Sequence, residues 1–272
     1  MPLTPRTPTN ITQISHPSHL VEPSPWPVIA AAAALITTLG LAAWFHNYGT
    51  TLLTLGILLL LTTASQWWRD ILREAVFQGH HTSYVARGLR IGIIIFIASE
   101  AMFFLAFFWA FFHSALAPTP ETGCTWPPLG IEPLNPFAVP LLNTSLLLLS
   151  GLTITLAHMR LIQANRTHAA KLTLKAALLG VLFTICQVHE YICATFTIAD
   201  GIYGRTFFIA TGFHGLHVLI GTTFILVCVF RFCSTFLFAP LRHVGFEAAA
   251  WYWHFVDVIW ICLYLCIYWW GA

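Results

Sequence analysis

Four carboxylates, Glu100, Glu190, Glu247 and Asp257, stand in or beside long apolar runs. An acid in such a setting either exchanges protons or is held in hydrogen bonds, because a charge at the centre of a bilayer costs about 2.5–3.5 kcal/mol on insertion scales. Glu100 is the sharpest case. It is the one acid in LRIGIIIFIASEAMFFLAFFWAFFH, and Phe96, Phe103, Phe104 and Phe107 surround it at helical spacing, which keeps it dry. Two readings stay open for this intramembrane carboxylate: a structural acid bonded to neighbouring helices, or a proton-exchanging or lipid-facing carboxyl.

His214 and His217 are three apart in ATGFHGLHVLIG and share one helical face. A metal or haem site there needs further ligands at the same level, and His254 and His189 are the candidates in other runs. The alternative is helix packing, with Gly212, Gly215 and Gly221 allowing close approach and the imidazoles bonding across helices. The last run, GFEAAAWYWHFVDVIW, sets Glu247, Trp251, His254 and Val258 on one face and Trp253, Asp257 and Trp260 on the adjoining one. Two acids and a histidine on a tryptophan-lined helix predict burial against partner helices, in this chain or in another subunit. The most charged stretch is WWRDILREAVFQGHHTSYVARGLR, where Arg69 and Arg73 are four apart, Asp70 and Glu74 likewise, and Trp67, Trp68, His80 and His81 flank them. It reads either as surface ion pairs with a topology signal or as an anionic headgroup site, since arginine offers paired donors to phosphate.

The elements that hold these residues must cross a membrane. Of 272 residues, 58% are hydrophobic and only 8% charged, against about 25% charged in soluble domains. A net charge of +2, with the charges scattered, excludes a nucleic-acid partner. Six of the seven cysteines lie in apolar runs and act as small hydrophobes, and Cys124 alone is in a loop. No disulfide framework is expected. There is no nucleotide loop, no nucleophile with its base and no H-E-x-x-H helix, so no catalytic residue and no metal ligand is assigned. The first 25 residues have neither the basic n-region nor the apolar h-region of a signal peptide, so no cleaved targeting segment is expected.

Apolar length predicts seven spans, near residues 26–45, 52–68, 89–113, 137–158, 172–196, 207–232 and 246–270, after a polar tail over 1–25, all in one membrane domain. With alternating sides, all of the 12 Lys and Arg except Arg205 fall on the side of the N-terminus, Arg6 and Arg242 included. The positive-inside rule then places the N-terminus on the cytoplasm-equivalent side and the C-terminus opposite.

The stretches PSPWP, WWRDILRE, FQGHHT, SEAMFF, FFWAFFHSALAPTPE, WPPLGIEPLNP, FTIADGIYG, TFFIATGFHGLHVLIG, GFEAAAWYWHFVDVIW and YWWGA together resemble subunit III of the aa3-type cytochrome c oxidases. The resemblance reaches nearly the whole chain after the first 20 residues. It implies an all-α membrane protein whose helices 1–2 are separated from helices 3–7 by a lipid-filled V-shaped cleft. It also implies a mitochondrial inner-membrane setting with the N-terminus in the matrix and the C-terminus on the intermembrane-space side.

The implied role is non-catalytic: stabilising the core of respiratory complex IV and supporting proton uptake and oxygen access. Haem a, haem a3 and copper would lie in partner subunits, with subunit I the main contact, then subunit II and smaller subunits, and no cofactor in this chain beyond bound phospholipids of phosphatidylglycerol, phosphatidylethanolamine or cardiolipin type. By motif match, Trp68, Arg73, Glu74 and His81 would touch a lipid headgroup, with Arg231 a second headgroup contact and Glu100 bordering the cleft. The chain departs from the family in EYICATF, which lacks the usual helix-ending proline. His158 and His243 stand singly where the family commonly has histidine pairs, which argues against metal at either place. From the residues alone, the competing reading is an independent proton or solute transporter using Glu100, Glu190 and Asp257 as a relay.

Overall fold

The computed structural model describes residues 18–233 and 243–272. Arg6 and Arg242, which enter the orientation argument, and most of the polar tail lie outside these. Among the described residues seven α-helices run in order: α1 (Trp26–Phe45), α2 (Thr51–Val76), α3 (Ser83–Leu116), α4 (Val139–Ile162), α5 (Arg166–Cys193), α6 (Gly201–Cys233) and α7 (Val244–Leu263), the last continuing as a π-helical turn over Tyr264–Trp269. There is no strand among the described residues. All seven helices are long and apolar enough to span a bilayer.

Lipid gives no partner to a stray donor, and the hydroxyl side chains answer this locally. Thr37, Thr63, Thr144, Thr173 and Thr211 each donate to the carbonyl four residues back, at 2.7–2.8 Å. Helix ends follow polar signals more than the apolar runs. Asn165 caps α5, its side chain accepting from the His168 amide at 3.2 Å, so α5 begins at Arg166, ahead of the apolar run at 172. It stops at Cys193 because Ala194 is extended, and the Thr195 hydroxyl donates to the Glu132 carbonyl at 3.0 Å. Before α6, Asp200 accepts from the Thr197 amide and hydroxyl, and Gly201 takes φ 65°.

Two compact units divide the chain, Met1–Gly88 and Leu89–Ala272. In the first, α1 and α2 form a hairpin closed through Asn47 and Gly49, both at positive φ. Their backbones touch at glycine: a Cβ on Gly56 would come 2.6 Å from the Thr37 amide nitrogen, and one on Gly40 would meet the Leu53 backbone. In the second unit α7 is central. Just over half of its apolar window is buried (56%), against 6% for α3, whose buried residues are Phe104, Phe111 and Ala115.

Candidate functional site

In the Leu89–Ala272 unit, α3 meets α6 through Glu100 and an aromatic cluster. Glu100 Oε2 lies 2.9 Å from His217 Nε2, while His217 Nδ1 lies 2.7 Å from the Phe213 carbonyl. A carbonyl only accepts, so Nδ1 carries a hydrogen and one further proton lies between Nε2 and Oε2. Phe103, Phe104, Phe107 and Phe213 wall this pair with ring contacts of 4.8–5.2 Å. The Glu100 side chain keeps 23% of its surface accessible and His217 9%.

The other candidate ligands do not converge. His214 Nε2 donates to the Val256 carbonyl at 3.2 Å, and His189 lies 3.7 Å from the Cys193 thiol. His254 Nε2 is 3.0 Å from the Thr155 hydroxyl, whose own hydrogen goes to the Gly151 carbonyl. His254 therefore donates through Nε2, and its Nδ1 lies 3.8 Å from Asp257 Oδ2. Glu190 accepts from Gln187 and Tyr268 at 3.0 Å, and Gln187 in turn accepts from Asn143 at 3.1 Å. The π-helical end of α7 carries Tyr268 into that contact.

Glu247, in the first turn of α7, is paired with Arg90 of α3 at 2.6 Å and with His243 at 3.1 Å. The His158 ring of α4 stands 5.2 Å from the His243 ring, edge-on. Nothing in the sequence pairs His158 with Glu247; their meeting is a product of the α4–α7 packing. Arg231 closes α6 beside Gly245, where a Cβ would come 2.7 Å from its Nη1. Arg166 donates to the Phe232 carbonyl at 2.7 and 3.0 Å, a cation on the negative end of α6.

In the Met1–Gly88 unit, the charged stretch lies at the end of α2. Asp70 accepts from the Trp26 indole at 2.7 Å and pairs with Arg69 at 3.4 Å and Arg73 at 3.8 Å. The Arg73 side chain stays 58% exposed, and Trp68 projects outward. His19 stacks on His80 with centroids 4.6 Å apart and brings a donor atom within 4.8 Å of Glu74 and His81. Burial pushes the His81 imidazole below its ordinary range, His19 and His80 add to this, and Glu74 opposes it. The neutral ring is thus favoured, and the stability it lends is lost as pH falls below about 6.5. His19 sits outside the charged stretch, ahead of the PSPWP segment that opens α1, and no local pattern pairs it with His80 or Glu74.

Fold and site together define a polytopic all-α membrane protein in which Glu100, Glu190 and Glu247 are each held by a side chain of another helix or turn, while Asp257 faces His254 of its own helix at 3.8 Å. The family model for cytochrome c oxidase subunit III matches residues 16–272. The cytochrome c oxidase subunit 3 of Lumbricus terrestris is 59% identical over 259 residues, covering 95% of this chain and 100% of its own length. That of Cyprinus carpio is 60% identical over 258 residues, covering 95% and 98%. That of Neotragus moschatus is 60% identical over 262 residues, covering 96% and 100%. The chain belongs to the cytochrome c oxidase subunit III family, of mitochondrial type, and is a multi-pass inner-membrane subunit of complex IV.

Proposed function

We propose that this chain is a non-catalytic, lipid-binding core subunit of cytochrome c oxidase, which stabilises the catalytic subunits and supports proton uptake and oxygen access while cytochrome c reduces oxygen to water. Haem a, haem a3 and copper belong to partner subunits, with subunit I the main contact and subunit II and small subunits beyond it. The N-terminus is in the matrix and the C-terminus in the intermembrane space. The two compact units work as one membrane domain, and the family's lipid-filled cleft is part of this reading.

The observation that carries it is the end of α2. Arg73 is largely exposed and holds Asp70 only at 3.8 Å, so most of its five donors are available. It stands five residues beyond the exposed Trp68 on α2, next to Glu74 and close to the half-buried His81 in the chain. A guanidinium for phosphate, an indole for the glycerol level and an apolar helix flank for acyl chains are what a phospholipid of phosphatidylglycerol, phosphatidylethanolamine or cardiolipin type needs. Arg231 is the second headgroup contact, and Glu100 is the carboxyl bordering the lipid.

The test is the R73A/E74A double substitution in the assembled oxidase. Each charge-assisted bond lost weakens headgroup binding by roughly 1.5–3 kcal/mol. Native mass spectrometry is expected to show one anionic phospholipid fewer per complex, with a shorter active lifetime and little change in initial rate. Unchanged lipid content overturns the assignment.

A further inference from the structure

We propose that His158, His243 and Glu247 form a binding site for one divalent cation of the zinc class, clamping the end of α4 to the start of α7. One donor atom from each residue lies within 4.8 Å of the others. Four-coordinate zinc with bonds near 2.0–2.1 Å sets its donors about 3.3 Å apart, and His243 Nε2 to Glu247 Oε1 is already 3.1 Å. A modest inward turn of His158 completes the triangle.

The hydrogen bonding points to a ligand as well. His158 Nε2 and His243 Nδ1 are buried with no hydrogen-bond partner among the described residues. An orphaned imidazole nitrogen in a buried setting costs on the order of 1–3 kcal/mol. An ion taken by the two Nε2 atoms relieves the first, and leaves Nδ1 of His243 as the hydrogen-bearing nitrogen. The spacing is also suitable: His243 and Glu247 are four apart at the opening of α7, on one face, and the third donor comes from another helix. Two imidazoles and a carboxylate select a borderline transition ion over calcium or magnesium, which prefer all-oxygen shells, and they leave a fourth position for water.

Arg90 sets the affinity. It binds Glu247 Oε2 at 2.6 Å and Oε1 at 3.2 Å, holding the carboxylate in place but cancelling its charge. The ion's charge therefore meets no net negative charge from these residues. This predicts moderate affinity, and it predicts that neutralising Arg90 tightens the site. A purely structural cluster behaves the other way, since losing Arg90 leaves Glu247 half-satisfied and loosens α3.

The experiment uses the full-length chain in detergent, carrying H81Q so that the His19, Glu74 and His81 cluster does not contribute. Cobalt(II) chloride is the probe, read by its visible ligand-field absorption, with competition by zinc chloride. One cobalt per chain with four-coordinate bands is expected. H158Q and H243Q should each weaken it by more than the roughly 10–100-fold that loss of an outer-shell partner costs. H168Q, at an exposed histidine, should leave binding unchanged, and R90Q should strengthen it. Helical circular dichroism on every variant separates lost ligation from lost fold, and the gain in R90Q does not depend on either histidine variant folding. No saturable cobalt binding by the H81Q chain, equal binding by H158Q and H243Q, or weaker binding by R90Q overturns the site.

Discussion

Replacing Trp253 by alanine is expected to destabilise the Leu89–Ala272 unit by about 3–5 kcal/mol, the range for deleting a fully buried aromatic side chain. The indole is 0% exposed and joins three helices to α7. Its Nε1–H donates to the Ser150 hydroxyl of α4 at 2.8 Å. Its ring edge lies where a Cβ on Gly180 of α5 would come within 2.7 Å, and its other side where one on Gly221 of α6 would come within 2.8 Å. Removing it opens a void beside two glycines that have no side chain with which to fill it. Membrane helices associate by this kind of close packing, because lipid tails are as apolar as the side chains they would replace. Trp253→Phe keeps much of the ring and loses the hydrogen bond, so about 1 kcal/mol is expected from that bond. Trp109→Ala, at a residue 72% exposed, should stay within ~0.5 kcal/mol. Thermal melting of the purified oxidase, followed by retention of this subunit, gives the ordering W253A, then W253F, then W109A. If W253A melts with W109A, the four-helix junction is not where the stability resides.

The apolar runs were enough to read the architecture, because bilayer thickness sets a length that few other constraints mimic. Part of the aromatic wall beside Glu100 was also readable, since Phe103, Phe104 and Phe107 lie on one chain segment at helical spacing, whereas Phe96 goes to Tyr252 and Phe213 joins from α6. Partners were not. His217 was visible as a member of a pair with His214, yet the two go to different places: His214 to the Val256 carbonyl and His217 to Glu100. Their shared face spans two neighbours, and helical spacing cannot say where one neighbour ends. The meeting of His158 with His243 depends on α4 ending at the level where α7 begins, which no local pattern encodes. Each histidine taken singly argued against a metal, whereas the packed pair argues for one. Helix ends were equally hidden wherever a polar cap extends a helix past its apolar run, as Asn165 does for α5.

Substituting His217 by leucine is expected to cost about 3–5 kcal/mol, the range for removing one partner of a buried ionic pair. Glu100→Gln should cost less, and the double variant E100Q/H217L less than the sum of the two. The reason lies in the proton count. With Nδ1 committed to the Phe213 carbonyl, His217 and Glu100 share one proton at 2.9 Å, so the pair carries no net charge whichever side holds it. H217L removes the group that shares this proton: Glu100 is left either as a carboxylate without a counter-group or as a neutral acid whose hydrogen has lost its acceptor. E100Q keeps a donor for Nε2 and leaves the wall of Phe103, Phe104 and Phe107 in place. A coupling energy of about 0.5–3 kcal/mol is expected for groups in direct contact, measured as a double-mutant cycle on the melting of the assembled oxidase. The same variants separate a structural pair from a proton-exchanging one. If Glu100 only anchors α3 to α6, E100Q should leave the proton stoichiometry of turnover unchanged while H217L lowers stability alone. If it exchanges protons, E100Q should lower that stoichiometry at unchanged stability. A coupling energy near zero would mean that Glu100 is compensated by something other than His217, and the proton shared across α3 and α6 would have no energetic role.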